Sequence, residues 1–227
     1  MRSIRTSSLT LATVLVLAVA APAAAGTKSA GFIAGFSYSN LNIQGSSGLD
    51  GRGSFAGGGV LDLGVNDKFG IRIEPTFVSK GAKATDRNAY FGSVDGVLFD
   101  LNYIDVPVLA RFDLPSESKS SHGFALGGVA VGFATKQEAE LSQGSQHETV
   151  DFGPVFSSID VNLDLGLGLA VPMGANCWTF DGRAAIGVMN INNGGTVTFQ
   201  GNPLVVPSTT THTLGFRLLV TYLFALK

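Results

Sequence analysis

The sequence is poor in charge and nearly lacks cysteine. Only 14% of its 227 residues are Asp, Glu, Lys or Arg, whereas a soluble globular domain usually has about a quarter. The 15 Lys and Arg nearly balance the 17 Asp and Glu, so the sequence lacks the excess of positive charge that nucleic-acid binding requires. The single cysteine, Cys177, excludes an intramolecular disulfide and a cysteine-based zinc site.

A long charge-free hydrophobic run is also lacking after the first 25 residues, which excludes a helical membrane span there. At the N-terminus, Arg2 and Arg5 precede an apolar run from Leu9 to Ala21, and small residues follow it. This order is typical of a cleavable secretion signal, and the run is short for a membrane anchor of about 20 residues. We therefore predict a signal peptide over residues 1–25 and an exported domain over residues 26–227.

The exported part is rich in segments where apolar and polar residues alternate. In the clearest one, Phe69, Ile71 and Ile73 share one face, whereas Arg72 and Glu74 share the other. Period-two alternation predicts β-strands, and helical periodicity fits none of these segments. We predict eight strands, over residues 31–40, 55–65, 69–80, 98–112, 123–135, 159–171, 177–191 and 213–224.

The connections between these strands alternate in length. Four are long (41–54, 81–97, 136–154 and 191–210), and three are short (66–68, 113–122 and 173–176). Outer-membrane barrels have tight periplasmic turns, longer extracellular loops and both termini in the periplasm. We therefore predict Asp67, Ser118 and Gly174 in the periplasm, with Gly45, Gly81, Ser145 and Gly194 outside the cell.

Soluble sandwiches and lipocalin-like barrels also alternate with period two, so the choice depends on which face is inside. The polar face carries charges of both signs, while all seven Lys residues lie in loops, turns or strand ends. A water-exposed face would use Lys freely, whereas the planar Arg side chain suits buried pairing with carboxylates. Side chains fill the interior of an eight-stranded barrel. The predicted lumen network is Asp62, Arg72, Glu74, Asp105, Arg111, Asp160, Asp164, Asp181, Arg183 and Arg217.

Aromatic residues form two groups along the predicted strands. Near the short turns and the C-terminus lie Phe69, Phe112, Trp178, Phe180, Tyr222 and Phe224, and towards the long loops lie Phe36, Tyr38, Phe77 and Phe156. Two aromatic belts around an aliphatic band are typical of the two membrane interfaces. We therefore predict an all-β, eight-stranded antiparallel up-and-down transmembrane barrel in the outer membrane. Its expected partners are membrane lipid, lipopolysaccharide and the barrel-assembly machinery.

Two stretches resemble a known family. Residues 101–112 read LNYIDVPVLARF, and residues 165–191 combine a glycine-rich strand, a turn and a strand that begins Asp181-Gly182-Arg183. Both are similar to the PorT-like outer-membrane β-barrel domain family. The resemblance implies an outer-membrane barrel and no specific activity.

Two other functions are open alternatives. His147, Glu148, Asp151 and His212 could meet at the extracellular rim of a lipid-modifying enzyme, although no motif enforces the geometry of acid, base and nucleophile. The lumen charges could instead line a narrow solute channel. We expect neither, and we expect no catalytic residue, cofactor, metal or nucleic-acid partner. The favoured hypothesis is a structural or surface-interaction component of the envelope that acts through its long extracellular loops.

Overall fold

The computed structural model describes residues 27–45, 49–84, 94–116 and 121–226. The predicted signal peptide and Ser118 lie outside these residues. Within them, no helix has the length and apolar character needed to cross a membrane.

Thirteen strands make up most of the described chain, and every pairing between them is antiparallel. They are β1 (Lys28–Ile43), β2 (Asp50–Gly64), β3 (Phe69–Ile73), β4 (Thr76–Lys80), β5 (Ala82–Ala84), β6 (Gly96–Asp113), β7 (His122–Gln143), β8 (Gln146–Asp151), β9 (Ile159–Met173), β10 (Asn176–Gly187), β11 (Gly195–Phe199), β12 (Asn202–Val206) and β13 (Thr211–Ala225).

Eight of the predicted segments form the wall, and their pairings close into a ring. β1 pairs with β2 and β13, and β2 pairs with β3, β4 and β5, which pair in turn with β6. The ring continues through β7, β9 and β10 back to β13. The predicted eight-stranded, up-and-down barrel is therefore confirmed, and its wall has no free edge.

The third wall strand is divided into β3, β4 and β5 although it is one continuous run. Pro75 lacks the N–H that a ladder requires, so β3 ends before it and β4 begins after it. The register against β6 is unchanged across the break, because Ile73 pairs with Val108 and Thr76 with Asp105. The Pro75 carbonyl still accepts a 3.0 Å hydrogen bond from Gly59 N.

The two faces of the wall differ as the alternation predicts. In β9, Asp160 and Asp164 are buried in the interior, whereas Leu165 is 49% exposed and Leu167 is 68% exposed on the outside. An apolar exterior around a charged interior suits a wall surrounded by lipid. A soluble barrel would have the opposite arrangement.

The predicted loops contain more regular structure than their composition indicates. β7 extends to Gln143 and turns back into β8, and the last long connection holds the β11–β12 hairpin. Gly81, predicted in an extracellular loop, is instead buried in the wall between β4 and β5, where its N–H donates to Ser39 Oγ. Gly194, also predicted in an extracellular loop, is half-buried and packs against Ser208. Gly45, Asp67, Ser145 and Gly174 lie in exposed connections.

The assignment of the lipid face predicts the effect of one charge on stability. Leu165→Arg should lower the free energy of unfolding by about 2–4 kcal/mol, because the new guanidinium faces hydrocarbon. The control Leu165→Phe should keep nearly the parent stability. Urea unfolding in lipid vesicles, with the mobility difference between unheated and boiled samples in SDS gels as the fold check, measures both. A harmless Leu165→Arg would mean that this face does not contact lipid.

Candidate functional site: the lumen and its cap

The structure places all ten predicted lumen residues inside the barrel. None of them is more than 8% exposed. The "turn end" of the barrel is the end with the short turns, the start of β1 and the end of β13, and the "loop end" is the opposite one. Between the two ends, the charges form three successive clusters.

The cluster nearest the turn end is centred on Asp62 of β2. Its Oδ2 accepts hydrogen bonds from Arg72 Nε and Nη2 at 2.9 and 2.6 Å and from Arg111 Nη1 at 2.8 Å. Arg111 also donates to Asp113 Oδ1, which lies 3.2 Å from His122 Nε2. Asp113 and His122 are about a quarter exposed at the mouth, so water reaches the network from this end.

The middle cluster joins β10 to the third wall strand. Arg183 donates to both carboxylate oxygens of Glu74, one of them at 2.9 Å, and to both oxygens of Asp181. Arg72 Nη1 lies 3.7 Å from Glu74 Oε1 and links this cluster to the previous one. A bidentate Arg between two carboxylates is the pairing that makes a buried charge tolerable.

The cluster nearest the loop end contains a cation, Lys80, that is not among the predicted lumen residues. Lys80 ends β4, but its side chain is buried, with Nζ 3.1 Å from Asp105 Oδ1 and 2.9 Å from Asp160 Oδ2. Arg217 donates to the other oxygen of Asp105. Thr213 Oγ1 lies 2.9 Å from Asp160 Oδ2. A strand-end Lys remains inside here because β5 extends the same wall strand beyond it.

Glycines in the wall provide the space for these large side chains. A Cβ on Gly132 would lie 2.5 Å from Asp105 Oδ1, and one on Gly168 would lie 2.3 Å from the Phe124 ring. That ring in turn packs under the guanidinium groups of Arg72 and Arg111, with centroid distances of 5.4 and 4.6 Å. Apolar and polar residues alternate only weakly over residues 123–135, where Gly and Ala occupy both faces. The close fit of this segment to the side chains in the lumen explains this pattern.

Asp164 is the exception within the network. Among the described residues, neither of its carboxylate oxygens accepts a hydrogen bond, and the ion pair recorded for it has Arg217 Nη1 at 3.9 Å. A cavity of about 10 Å³, lined by residues that include Lys80, Asn162 and Arg217, lies near the loop-end cluster. A volume of that size holds about one water molecule, so this part of the lumen is packed.

The loop end of the lumen is closed by an apolar cap that was not predicted. Phe99 of β6 packs edge-on against Phe152 and Phe156, with both ring centroids 5.7 Å away, and the Phe152 and Phe156 rings stack on each other. The other buried apolar side chains of the cap come from the β11–β12 hairpin, from β8, from two loop residues and from the wall strands. They are Leu41, Ile43, Ala82, Val97, Leu101, Tyr103, Ala139, Leu141, Val150, Val155, Ile191, Val197, Phe199 and Val206.

The cap corrects the prediction for Phe156. It was assigned to the outer aromatic belt, but it is only 4% exposed within the cap. The other nine predicted belt residues have partly or largely exposed side chains, consistent with an outward orientation. A sequence signal for the cap does exist, because the apolar Phe152 lies within the predicted loop 136–154, and the apolar Val155 and Phe156 follow directly after it.

The residues of the enzymatic alternative do not converge. His147 Nδ1 lies 3.2 Å from Glu140 Oε1, whereas Glu148 accepts a hydrogen bond from Gln200 N. Asp151 accepts from Gly153 N, and His212 Nδ1 is 3.1 Å from Met189 O. In the described part of the chain, no group of three or more His, Cys, Asp or Glu residues is arranged to hold a metal ion.

The unequal partners of two lumen carboxylates predict unequal effects of the same substitution. Asp105→Asn removes the charge shared by Lys80 and Arg217, and it should cost about 3–5 kcal/mol, the penalty for breaking a buried ion pair. Asp164→Asn should cost much less, because no hydrogen bond depends on this carboxylate. Urea unfolding of the two variants in the same vesicles compares them directly. Equal losses would contradict the assigned pairing.

Comparison with known proteins gives a matching family model and several similar solved structures. A family model described as "Outer membrane protein beta-barrel domain" matches residues 25–193. The structure is similar to Ail, the attachment invasion locus protein of Yersinia pestis, with 13% identity, 86% of this chain and 98% of that chain covered, and a TM-score of 0.40. Neisserial surface protein A is also similar, with 11% identity, 86% of this chain and 95% of that chain covered, and a TM-score of 0.44. Escherichia coli outer membrane protein W has 10% identity, 90% of this chain and 100% of that chain covered, and a TM-score of 0.37. No curated protein sequence matches the chain.

Proposed function

The chain belongs to the outer membrane protein β-barrel domain family, and from this premise we propose that it is a non-transporting barrel acting at the cell surface. The observation that carries the proposal is the apolar cap. It closes the loop end of a lumen that paired charges already fill. The loops at this end therefore also seal the interior. A conducting pore needs a continuous polar path, and this arrangement opposes one.

The closed lumen leaves the loop end as the part available for interaction. β8 and the β11–β12 hairpin stand above the cap as ordered β-structure. Binding residues are commonly carried by loops that a rigid scaffold positions. We therefore propose a structural or surface-interaction role, with the loop end extracellular and the turn end periplasmic. In this proposal, the wall contacts lipid and lipopolysaccharide, and the barrel-assembly machinery inserts the chain after removal of residues 1–25.

The proposal includes neither catalysis nor a bound cofactor. It is supported by the separate hydrogen-bond partners of His147, Glu148, Asp151 and His212, because a hydrolase needs its acid, base and nucleophile within hydrogen-bond reach. Membership of the narrower PorT-like group is also part of the proposal, on the motif residues 101–112 and 165–191.

The first test is electrical. Protein purified in detergent and reconstituted into planar bilayers should give no stepwise conductance, because both the charge clusters and the cap block the lumen. A general porin inserted under the same conditions is the positive control. Reproducible conductance steps from the folded protein would favour the channel alternative.

The second test addresses orientation. An epitope tag after Ser145, at the exposed β7–β8 turn, or at Gly201, at the tip of the β11–β12 hairpin, should be labelled on intact cells. Both sites are exposed turns of hairpins that lie beyond the barrel wall, so an insertion there leaves the register of the wall strands unchanged. A tag at Gly174 should be inaccessible and should impair folding, because that tight turn sets the hairpin register. Labelling at Gly174 alone would reverse the orientation.

A further inference from the structure

Unlike the wall, β8 is paired on one side only. It is the last strand on the sheet path and forms a ladder with β7 over residues 138–143. Across the residues that the structure describes, its other edge pairs with no strand. β8 lies at the loop end of the barrel. Nearer the turn end, β7 pairs with β9 over residues 122–133.

The register identifies the free backbone groups. Phe152 N donates to Gln137 O at 2.8 Å, which makes these two residues a hydrogen-bonded pair. Such pairs occur at every second residue of an antiparallel ladder, so Val150 and Glu148 also bond to β7. His147, Thr149 and Asp151 therefore direct their N–H and C=O groups away from β7, and all three residues are exposed.

This edge lacks three of the features that usually protect exposed strands, although it carries the charged side chains of Glu148 and Asp151. Protected edges carry Pro, Lys or a bulge, whereas β8 has none of these, and its pairing with β7 is regular. The neighbouring β11–β12 hairpin lies close to β8 but, among the described residues, does not pair with its backbone. Its hydrogen bond to β8 goes to the side chain of Glu148, whose Oε2 accepts from Gln200 N at 2.6 Å. In that hairpin, by contrast, β12 contains Pro203, and Pro is one of the residues that protect an exposed edge.

The charge around the edge indicates what would bind there. From Lys136 to Asp151, the β7–β8 hairpin has four carboxylates, Glu138, Glu140, Glu148 and Asp151, and one Lys. Two copies of this edge would bring like charges together, which disfavours self-pairing. A strand with Lys or Arg at alternate positions would place opposite charges beside Glu148 or Asp151.

We propose that the β8 edge binds an extended, basic polypeptide segment by strand addition. The incoming strand pairs with the backbone of His147, Thr149 and Asp151, as peptides do at other open sheet edges. The inference names the kind of partner for the surface role proposed above, and it rests on that role.

The test uses the full-length protein in detergent micelles and a synthetic ten-residue peptide of alternating Thr and Lys. Peptide binding, followed by fluorescence anisotropy, should weaken about tenfold in Thr149→Pro, because the outward N–H is lost. The β7 ladder does not use that N–H, so the fold should survive. The matched control Thr149→Ala keeps the N–H and should bind nearly as the parent does. Amide exchange should slow at residues 147, 149 and 151 when the peptide is added.

A second variant tests the charge argument separately. Asp151→Asn retains an acceptor for Gly153 N and removes one charge, so binding of the Lys peptide should weaken roughly twofold to fivefold. A Thr-Glu peptide should bind much more weakly than the Thr-Lys peptide. Equal binding by the Pro and Ala variants, or by both peptides, would overturn the proposal. Concentration-dependent exchange protection without peptide would assign the edge to a second copy instead. The conductance and surface-labelling results do not depend on these outcomes, so either proposal can fail alone.

Discussion

The main physical constraint on this molecule is the small width of an eight-stranded lumen. Among the described residues, eleven ionisable side chains lie buried in it, six of them acidic and five basic, and little space remains for water that could solvate them. A charge taken out of water is tolerable only when it is paired and hydrogen-bonded. The positions of Arg72, Arg183 and Lys80 between carboxylates, and of glycines beside the largest side chains, follow from this requirement.

The two ends of the lumen meet this constraint differently. At the turn end, Asp113 and His122 are partly exposed, so the outermost charges are hydrated directly. At the loop end, Phe99, Phe152 and Phe156 lie above the charged clusters, and apolar packing replaces hydration. In the part of the chain that the structure describes, the charge network is therefore partly exposed at the turn end and covered by apolar side chains at the loop end.

The wall was predictable from the sequence because its two environments are sharply different. Alternation of Leu165 with Asp164, and of Ile71 with Arg72, is unambiguous when one side faces lipid and the other faces paired charge. The assignment failed where the environment changes along the strand. Beyond the lipid band the outside of β7 faces water while its inside faces the cap, so Leu141 is buried in a stretch rich in Glu and Gln. Lys80 was not predicted in the lumen, because its position at a strand end did not show that β5 continues the wall.

The cap connects the interior to the surface in a way that local patterns could not reveal. Phe152 comes from one predicted loop, and Phe156 was predicted in the aromatic belt. Val197 and Phe199 come from another predicted loop and Phe99 from a wall strand, so the contact among these residues depends on tertiary structure. Because the loops contribute their apolar residues to this shared core, the backbone of β8 and of the β11–β12 hairpin is supported from below. A supported strand has a fixed edge, and a fixed edge lets a partner bind without the entropic cost of first ordering the loop. In the strand addition proposed above, the cap would therefore contribute to recognition indirectly, by holding the outer strands in one conformation.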